Sequence, residues 1–216
     1  MGNLMSIAGR TLNLERIPLR EREPLRAWDA ADEYVLKHVV SEALDLDAVL
    51  ILNDAFGALS LALADGGPIL VTDSHLARLA LAHNAEINAL NIDSVRVFDP
   101  LEPWEMTPRL VVMKLPKSNA LLRHQLHLLR DRLTADVPII AAGMVKHIHT
   151  STLKIFESVI GPTRTSLAKK KARLIFSELD PDLDPRFSEG PSAYELPEYG
   201  LTLVEYPGVF SQGRLD

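Results

Sequence analysis

Between Ala48 and Ala64 the chain reads AVLILNDAFGALSLALA, and no other passage constrains the fold as strongly. Val49, Leu50, Ile51 and Leu52 form a continuous apolar run, as a central parallel strand covered on both faces requires. Asn53 and Asp54 close the run where ligands sit in open α/β sheets. A loop that admits a nucleotide cofactor there uses several glycines, so that backbone amides can approach it closely. Here only Gly57 remains, flanked by Phe56, Ala58 and Leu59. The passage predicts a nucleotide-binding scaffold whose site is blunted.

A chain of 216 residues, 47% of them hydrophobic, can bury one sizeable core, so one α/β domain with an extension is expected. With no cysteine, disulfides, thiolate zinc sites and a cysteine nucleophile are excluded. The opening MGNLMSIAGR lacks a basic leader, and no run of about 18 apolar residues occurs, so the reading is a cytoplasmic chain that does not span a membrane. The net charge of −6 hides an asymmetry: residues 1–108 carry −9, residues 109–173 carry +10 and residues 174–216 carry −7. A segment at +10 is the footprint expected for a polyanion partner, although ordinary solvated faces would also produce it.

Alternation in TLNLERIP (11–18) predicts a half-buried strand ended by Pro18. Leu25 to Val40 predicts a helix that packs Trp28 and Tyr34 and turns Asp29, Asp32, Glu33 and Lys37 to water. After Gly66-Gly67-Pro68 comes a second strand, Ile69 to Thr72, ending in Asp73. An acid there holds a ribose in nucleotide-binding sheets, or caps the helix starting near His75, and the cap is the favoured reading. That helix runs to Ala89 with its histidines toward solvent. Strands follow at 95–98, 110–115 and 139–142, with helices at about 120–133 and from Thr150 to the Gly161-Pro162 stop. This alternation implies a largely parallel, right-handed sheet. Thr163 to Leu179 and Leu201 to Tyr206 read as an antiparallel pair closing it, joined by an acidic, proline-rich loop.

His147 and His149 could share one face of a strand, and His124 and His127 one face of a helix. Neither pair has a third ligand, and Lys146 opposes a cation, so no metal site is expected. Ser151-Thr152-Leu153-Lys154 matches the S-x-x-K form of serine acylases without its companion motifs, and hydroxyls at a helix start are explained as caps. The stronger signal is basic: Lys146, Arg164, Lys169, Lys170, Lys171 and Arg173, with Lys114 and Lys117 at the mouth of the fourth strand. Those two should lie near Asn53 and Asp54, whereas consecutive lysines at 169–171 on a strand would point to both sheet faces. Aromatic residues are sparse there, so base stacking is expected to add little beyond phosphate contacts.

The segments AWDAADEY (27–34), LILNDAFGALS (50–60), KLPK (114–117), IHTSTL (148–153), GPT (161–163), KKARLI (170–175) and VFS (209–211) resemble one family over nearly the whole chain. It is the bacterial large-subunit ribosomal RNA guanine-N2 methyltransferases, methyltransferase G, cousins of the small-subunit methyltransferase C. The resemblance implies a Rossmann-like class I methyltransferase fold, mostly parallel with antiparallel closing strands and a degenerate cofactor site. It also implies two methyltransferase-like domains, this one first (1–206, with an N-terminal extension at 11–40) and a linker from 207 toward a catalytic domain that binds S-adenosylmethionine. The ending at Gln212 to Asp216 then reads as a cut before that second domain.

In such enzymes an Asn-Pro-Pro-aromatic motif after the fourth strand holds the guanine amine. Lys114-Leu115-Pro116-Lys117 stands at that place and offers no acceptor side chain. Two ammonium groups would repel a cationic sulfonium and attract phosphate. The expectation is therefore a domain with no catalytic residue, no metal and no cofactor of its own. Asn53, Asp54, Gly57 and Asp73 are its vestigial cofactor positions, and Lys114, Lys117, Lys146, Arg164, Lys169, Lys170, Lys171 and Arg173 its contacts to protein-free large-subunit RNA. Two rivals remain: a scaffold that stabilises the catalytic domain without touching RNA, and an enzyme in its own right that binds an adenine nucleotide through Asp54, Gly57 and Asp73.

Overall fold

Leu50–Leu52 and Val111–Met113 lie side by side at the centre of the molecule, every side chain at most 3% exposed. Only a strand covered on both faces removes all of such a run from water. The structure is a computed structural model describing residues 3–7, 9–102, 104, 106–185 and 190–207. Its strands are β1 (Leu4–Ile7), β2 (Arg10–Asn13), β3 (Leu50–Leu52), β4 (Ile69–Val71), β5 (Arg96–Phe98), β6 (Val111–Lys114), β7 (Ile139–Met144), β8 (Thr163–Thr165), β9 (Ala172–Ser177), β10 (Ser192–Leu196) and β11 (Leu201–Glu205). The helices are α1 (Ala30–Ser41), α2 (Ala58–Ala62), α3 (His75–Ile87), α4 (Asn119–Arg130) and α5 (Thr150–Val159).

Seven strands form the main sheet in the order β5-β4-β3-β6-β7-β9-β8, parallel through β7 and antiparallel at β9 and β8. This is the expected Rossmann-like α/β class with antiparallel closing strands. One face packs α1, α2, α3 and the β1–β2 hairpin, and the other packs α4 and α5. The strand order reverses between β3 and β6, which makes the carboxyl ends of those two strands the place to look for a site.

Four expectations need correction. The N-terminal strand is a hairpin: Gly9, at φ 76, turns the chain so that β2 pairs back on β1 and ends at Asn13, short of Pro18. Helix α1 starts at Ala30, not Leu25, because the Asp29 carboxylate accepts from the Ala31 and Asp32 amides while Asp32 accepts from the Asp29 amide. Asp32 does not face water but is 6% exposed. His83 does not face solvent freely either, since its Nε2 lies 2.8 Å from Glu15 Oε2.

The C-terminal correction is larger. Thr163 to Leu179 is itself the closing pair, folding into β8 and β9, and Leu201–Glu205 pairs only with β10 in a separate two-stranded ribbon. Pairing across a short turn closes a far smaller loop than a return to the sheet edge would. Val209 to Ser211 and the expected linker from 208 onward lie outside the described residues.

Candidate functional site

At the carboxyl end of β3 the loop turns inward on itself. Asp54 is 3% exposed, and its Oδ2 accepts from the amides of Leu59 (3.0 Å) and Ser60 (2.9 Å) and from the Ser60 hydroxyl (2.9 Å). Burial pushes its carboxyl above the ordinary range, and the two Ser60 bonds pull it back. The amides that would greet a ligand phosphate in such a loop are thus used by the chain's own carboxylate. Gly57 sits at φ 80, and a Cβ there would meet Leu81 Cδ1 at 3.0 Å and Leu81 Cα at 3.2 Å, so this glycine serves helix packing rather than approach to a ligand.

Asn53 bridges the switch point. In the left-handed region at φ 64, it donates through Nδ2 to the Lys114 carbonyl (2.8 Å) and to Gln125 Oε1 (2.9 Å), while Gln125 Nε2 donates back to Asn53 Oδ1 (2.8 Å). The bridge ties β3 to β6 and α4 and divides the cleft. On one side is a cavity of about 170 Å³ containing Trp28, Asp29, Asp32 and Lys114; on the other, one of about 260 Å³ containing Asp73, Asp99, His124 and Tyr206. Asp73 is exposed there and is not the helix cap: Ser74 holds that role, accepting from the Ala77 amide at 3.2 Å.

Lys114 does not point its charge outward. Its Nζ lies 2.7 Å from Asp29 Oδ1 and 2.9 Å from Asp32 Oδ1, and its side chain is 16% exposed. Burial lowers the lysine's affinity for its proton, but the two carboxylates outweigh this and hold it above the ordinary value. For Asp32 burial dominates over Lys114 and pushes the carboxyl up to about 6. Burial also raises Asp29, yet Lys114 and the α1 amides outweigh it and leave that half-exposed carboxyl lowered. Two acids that sequence patterning put on a wet helix face therefore close over the mouth of β6.

The remaining basic residues divide. Lys117 and Lys146 are exposed at the carboxyl ends of β6 and β7. Lys169, Lys170 and Lys171 are not a strand: Lys169 pairs with Ala172 across a two-residue turn whose central residues, Lys170 and Lys171, have φ 48 and φ 65. That turn lies on the same edge, where the Val145 amide donates to the Lys171 carbonyl at 2.8 Å. Lys169 Nζ stands 5.0 Å from the Tyr34 ring centre, Lys170 pairs with Glu33 at 3.0 Å, and Arg164 stacks 4.4 Å over Phe176. These groups share the α1 face. Arg173 belongs to the opposite face with Ile175, and its Nε is buried without a partner.

Residues that sequence reasoning missed are Asp29, Asp32, Gln125 and Tyr34; only the AWDAADEY segment signalled the first two and the last, and nothing signalled Gln125. His147 ends a 3₁₀ turn and His149 caps α5, so they do not share a strand. Among the described residues no group of three or more His, Asp or Glu side chains could hold a metal ion. In the S-x-x-K stretch Ser151 and Lys154 are exposed, and Thr152 is buried with its hydroxyl accepting the His149 amide.

A family model described as the RLMG N-terminal domain matches residues 3–181. A ribosomal RNA large subunit methyltransferase G of Streptomyces griseus is 44% identical over 212 residues, which is 94% of this chain and 55% of that protein. The enzyme of the same name from Erwinia tasmaniensis is 44% identical over 214 residues, 98% of this chain and 56% of its own length. The chain thus spans about half the length of the curated relatives it matches. Among solved structures, a T. thermophilus 16S rRNA N2 methyltransferase in complex with AdoMet and guanosine superposes with a TM-score of 0.65 at 19% identity, covering 100% of this chain and 55% of that one. A SAM-dependent methyltransferase from Streptococcus mutans gives 0.59 at 13% identity over 82% of this chain and 55% of its own. Those two likenesses show the fold.

Proposed function

The chain belongs to the RLMG N-terminal domain family, and from that premise we propose that it is the non-catalytic, RNA-engaging half of a methyltransferase that uses S-adenosylmethionine to modify guanine N2 in 23S ribosomal RNA. Residues 1–206 form this half, and the segment from 207 leads toward the catalytic half, which binds the cofactor. A ribosomal RNA substrate would place that work in the cytoplasm; among the described residues no helix is long and apolar enough to cross a membrane.

The observation that carries this reading is a cleft filled from within. Asp54 takes the loop amides, the Asn53–Gln125 bridge crosses the path between the two cavities, and the Lys114 ammonium occupies the carboxylates of Asp29 and Asp32. The residues present do not fit a sulfonium cofactor: the loop amides are taken by Asp54, the carboxylates of Asp29 and Asp32 are taken by Lys114, and of the vestigial cofactor positions only exposed Asp73 is left to meet a ribose. RNA contact is left to Lys117, Lys146 and the 169–171 turn, which gather on the carboxyl edge, while Arg164 sits lower on the α1 face, level with Ile140 of β7. Phosphate contacts hold a partner in register without reading its sequence.

Two experiments test the reading. Calorimetry of the chain with S-adenosylmethionine should give no saturable heat; saturable binding abolished by Asp73→Ala would favour the adenine-nucleotide enzyme. Binding of protein-free 23S RNA should weaken steeply with salt, by about tenfold per decade of salt for each phosphate neutralised, and Lys169, Lys170 and Lys171 changed together to Glu should flatten that slope. No binding at low salt would favour the scaffold reading, in which this half only supports the catalytic one.

A further inference from the structure

Tyr34 and the lysine turn meet across 135 positions of sequence, and the opening between them is unlike the rest of the basic surface. It measures about 100 Å³ and is bordered by Ala30, Glu33, Tyr34, Lys37, Lys169 and Lys170. Three lysines against one glutamate leave a net positive charge, so the opening favours an anion. One of its walls carries the Tyr34 side chain, so it can favour something flat. The scale suits one base and excludes a duplex.

The turn is built at a cost in backbone strain. A two-residue hairpin turn with both central residues at positive φ is the preserve of Asn-Gly, Asp-Gly and Gly-Gly, because a Cβ crowds the left-handed region. Here both positions are lysine, at φ 48 and φ 65. Strain held at an exposed tip points to a role for the side chains that a cheaper turn would lose. The tip is also fixed in place: the Tyr34 hydroxyl donates to the Leu167 carbonyl at 3.1 Å, and Glu33 holds both Lys170 (3.0 Å) and the Trp28 indole (3.2 Å). Lys169 lies over the Tyr34 ring, its Nζ 5.0 Å from the ring centre, with no carboxylate partner among its described contacts. A phosphate draws an ammonium more strongly than a ring face does, so an arriving nucleotide takes Lys169 onto its phosphate and exposes the ring to its base.

We propose that Tyr34 and the Lys169–Lys170 turn form a single-nucleotide subsite for unpaired RNA, with the base stacked on Tyr34 and the adjoining phosphate held by the two lysines. This rests on the RNA-engaging reading above and adds a stacking contact to it, contrary to the expectation from composition that stacking contributes little.

The test is fluorescence anisotropy of a labelled single-stranded oligoribonucleotide with the 216-residue chain across a salt series, each variant checked for an intact melting transition. Tyr34→Leu should lower affinity by about 5- to 150-fold, the range for one base losing an aromatic platform, and leave the salt slope unchanged. Tyr34→Phe keeps the ring and should bind within about twofold of the parent. Lys169→Gln with Lys170→Gln should flatten the slope by about 0.7 for each phosphate no longer neutralised. If Tyr34→Leu binds like the parent while the lysine variant weakens, the subsite is overturned and the charge-only RNA reading stands. If Tyr34→Phe loses as much as Tyr34→Leu, the hydroxyl merely positions the turn and stacking is again overturned. If the parent chain itself does not bind, the RNA-engaging reading fails with it.

Discussion

Replacing Lys114 with methionine keeps most of the side-chain volume and removes only the charge shared by Asp29 and Asp32. Linkage bounds the effect. With its carboxyl pushed up to about 6 from an ordinary 3.8, Asp32 ionised in the folded protein already costs about 3 kcal/mol relative to the unfolded chain. Without Lys114 it stays protonated at pH 7.5, which against the same ordinary value costs about 5 kcal/mol, so the Asp32 part of the loss is about 2 kcal/mol. The half-exposed Asp29 pair adds up to about 1 kcal/mol. The sum, about 2–3 kcal/mol, falls at the lower edge of what removing one partner of a buried pair costs.

The sign with pH follows from the raised Asp32. Stability from a carboxyl whose folded value is raised is fully present below pH 3.8 and lost as pH rises through the folded value, and the variant extends that loss to higher pH. At pH 5 Asp32 is largely protonated in both proteins and only the Asp29 contribution remains, so the difference should shrink to about 1 kcal/mol or less. Urea unfolding read by circular dichroism would show a midpoint lowered by about 1 M at pH 7.5 and by well under half of that at pH 5. Asp32→Asn placed in the variant should recover most of the pH 7.5 loss. Equal losses at the two pH values would refute the buried clasp, and so would a loss below about 1 kcal/mol at pH 7.5.

Gly57→Ala places a Cβ at φ 80 against Leu81, and should cost about 1–3 kcal/mol, lowering the melting temperature by several degrees in a calorimetric scan. Asn53→Ala puts alanine at φ 64 and strips the buried Gln125 amide of its partner, an expected loss of about 2–3 kcal/mol in the same scan. Asp54→Ala frees two α2 amides and the Ser60 hydroxyl, and should cost about 2 kcal/mol while creating no affinity for S-adenosylmethionine by calorimetry.

The strands at 50–52, 69–71, 111–114 and 139–144 were legible because burial on both faces leaves one reading for a short, mostly apolar run between turn residues. The Gly161-Pro162 stop was legible as local chemistry. The scarcity of glycine after Asp54 is matched by loop amides that the Asp54 carboxylate itself takes up. What tertiary structure decided was the use of each charge. Periodicity put Asp32 in water, but α1 packs across the end of β6, so the acid is buried against a lysine 82 positions away. Lys170 and Lys171 read as strand until the pairing of Lys169 with Ala172 made them a turn, and Arg173 was separated from them by the two-residue period of β9. Tyr34 looked like packing alone because a sequence does not display which ring a distant lysine will cover. Local elements follow from the order of apolar and turn residues, whereas the neutralisation or exposure of a charge depends on partners that only chain closure brings within a few ångströms.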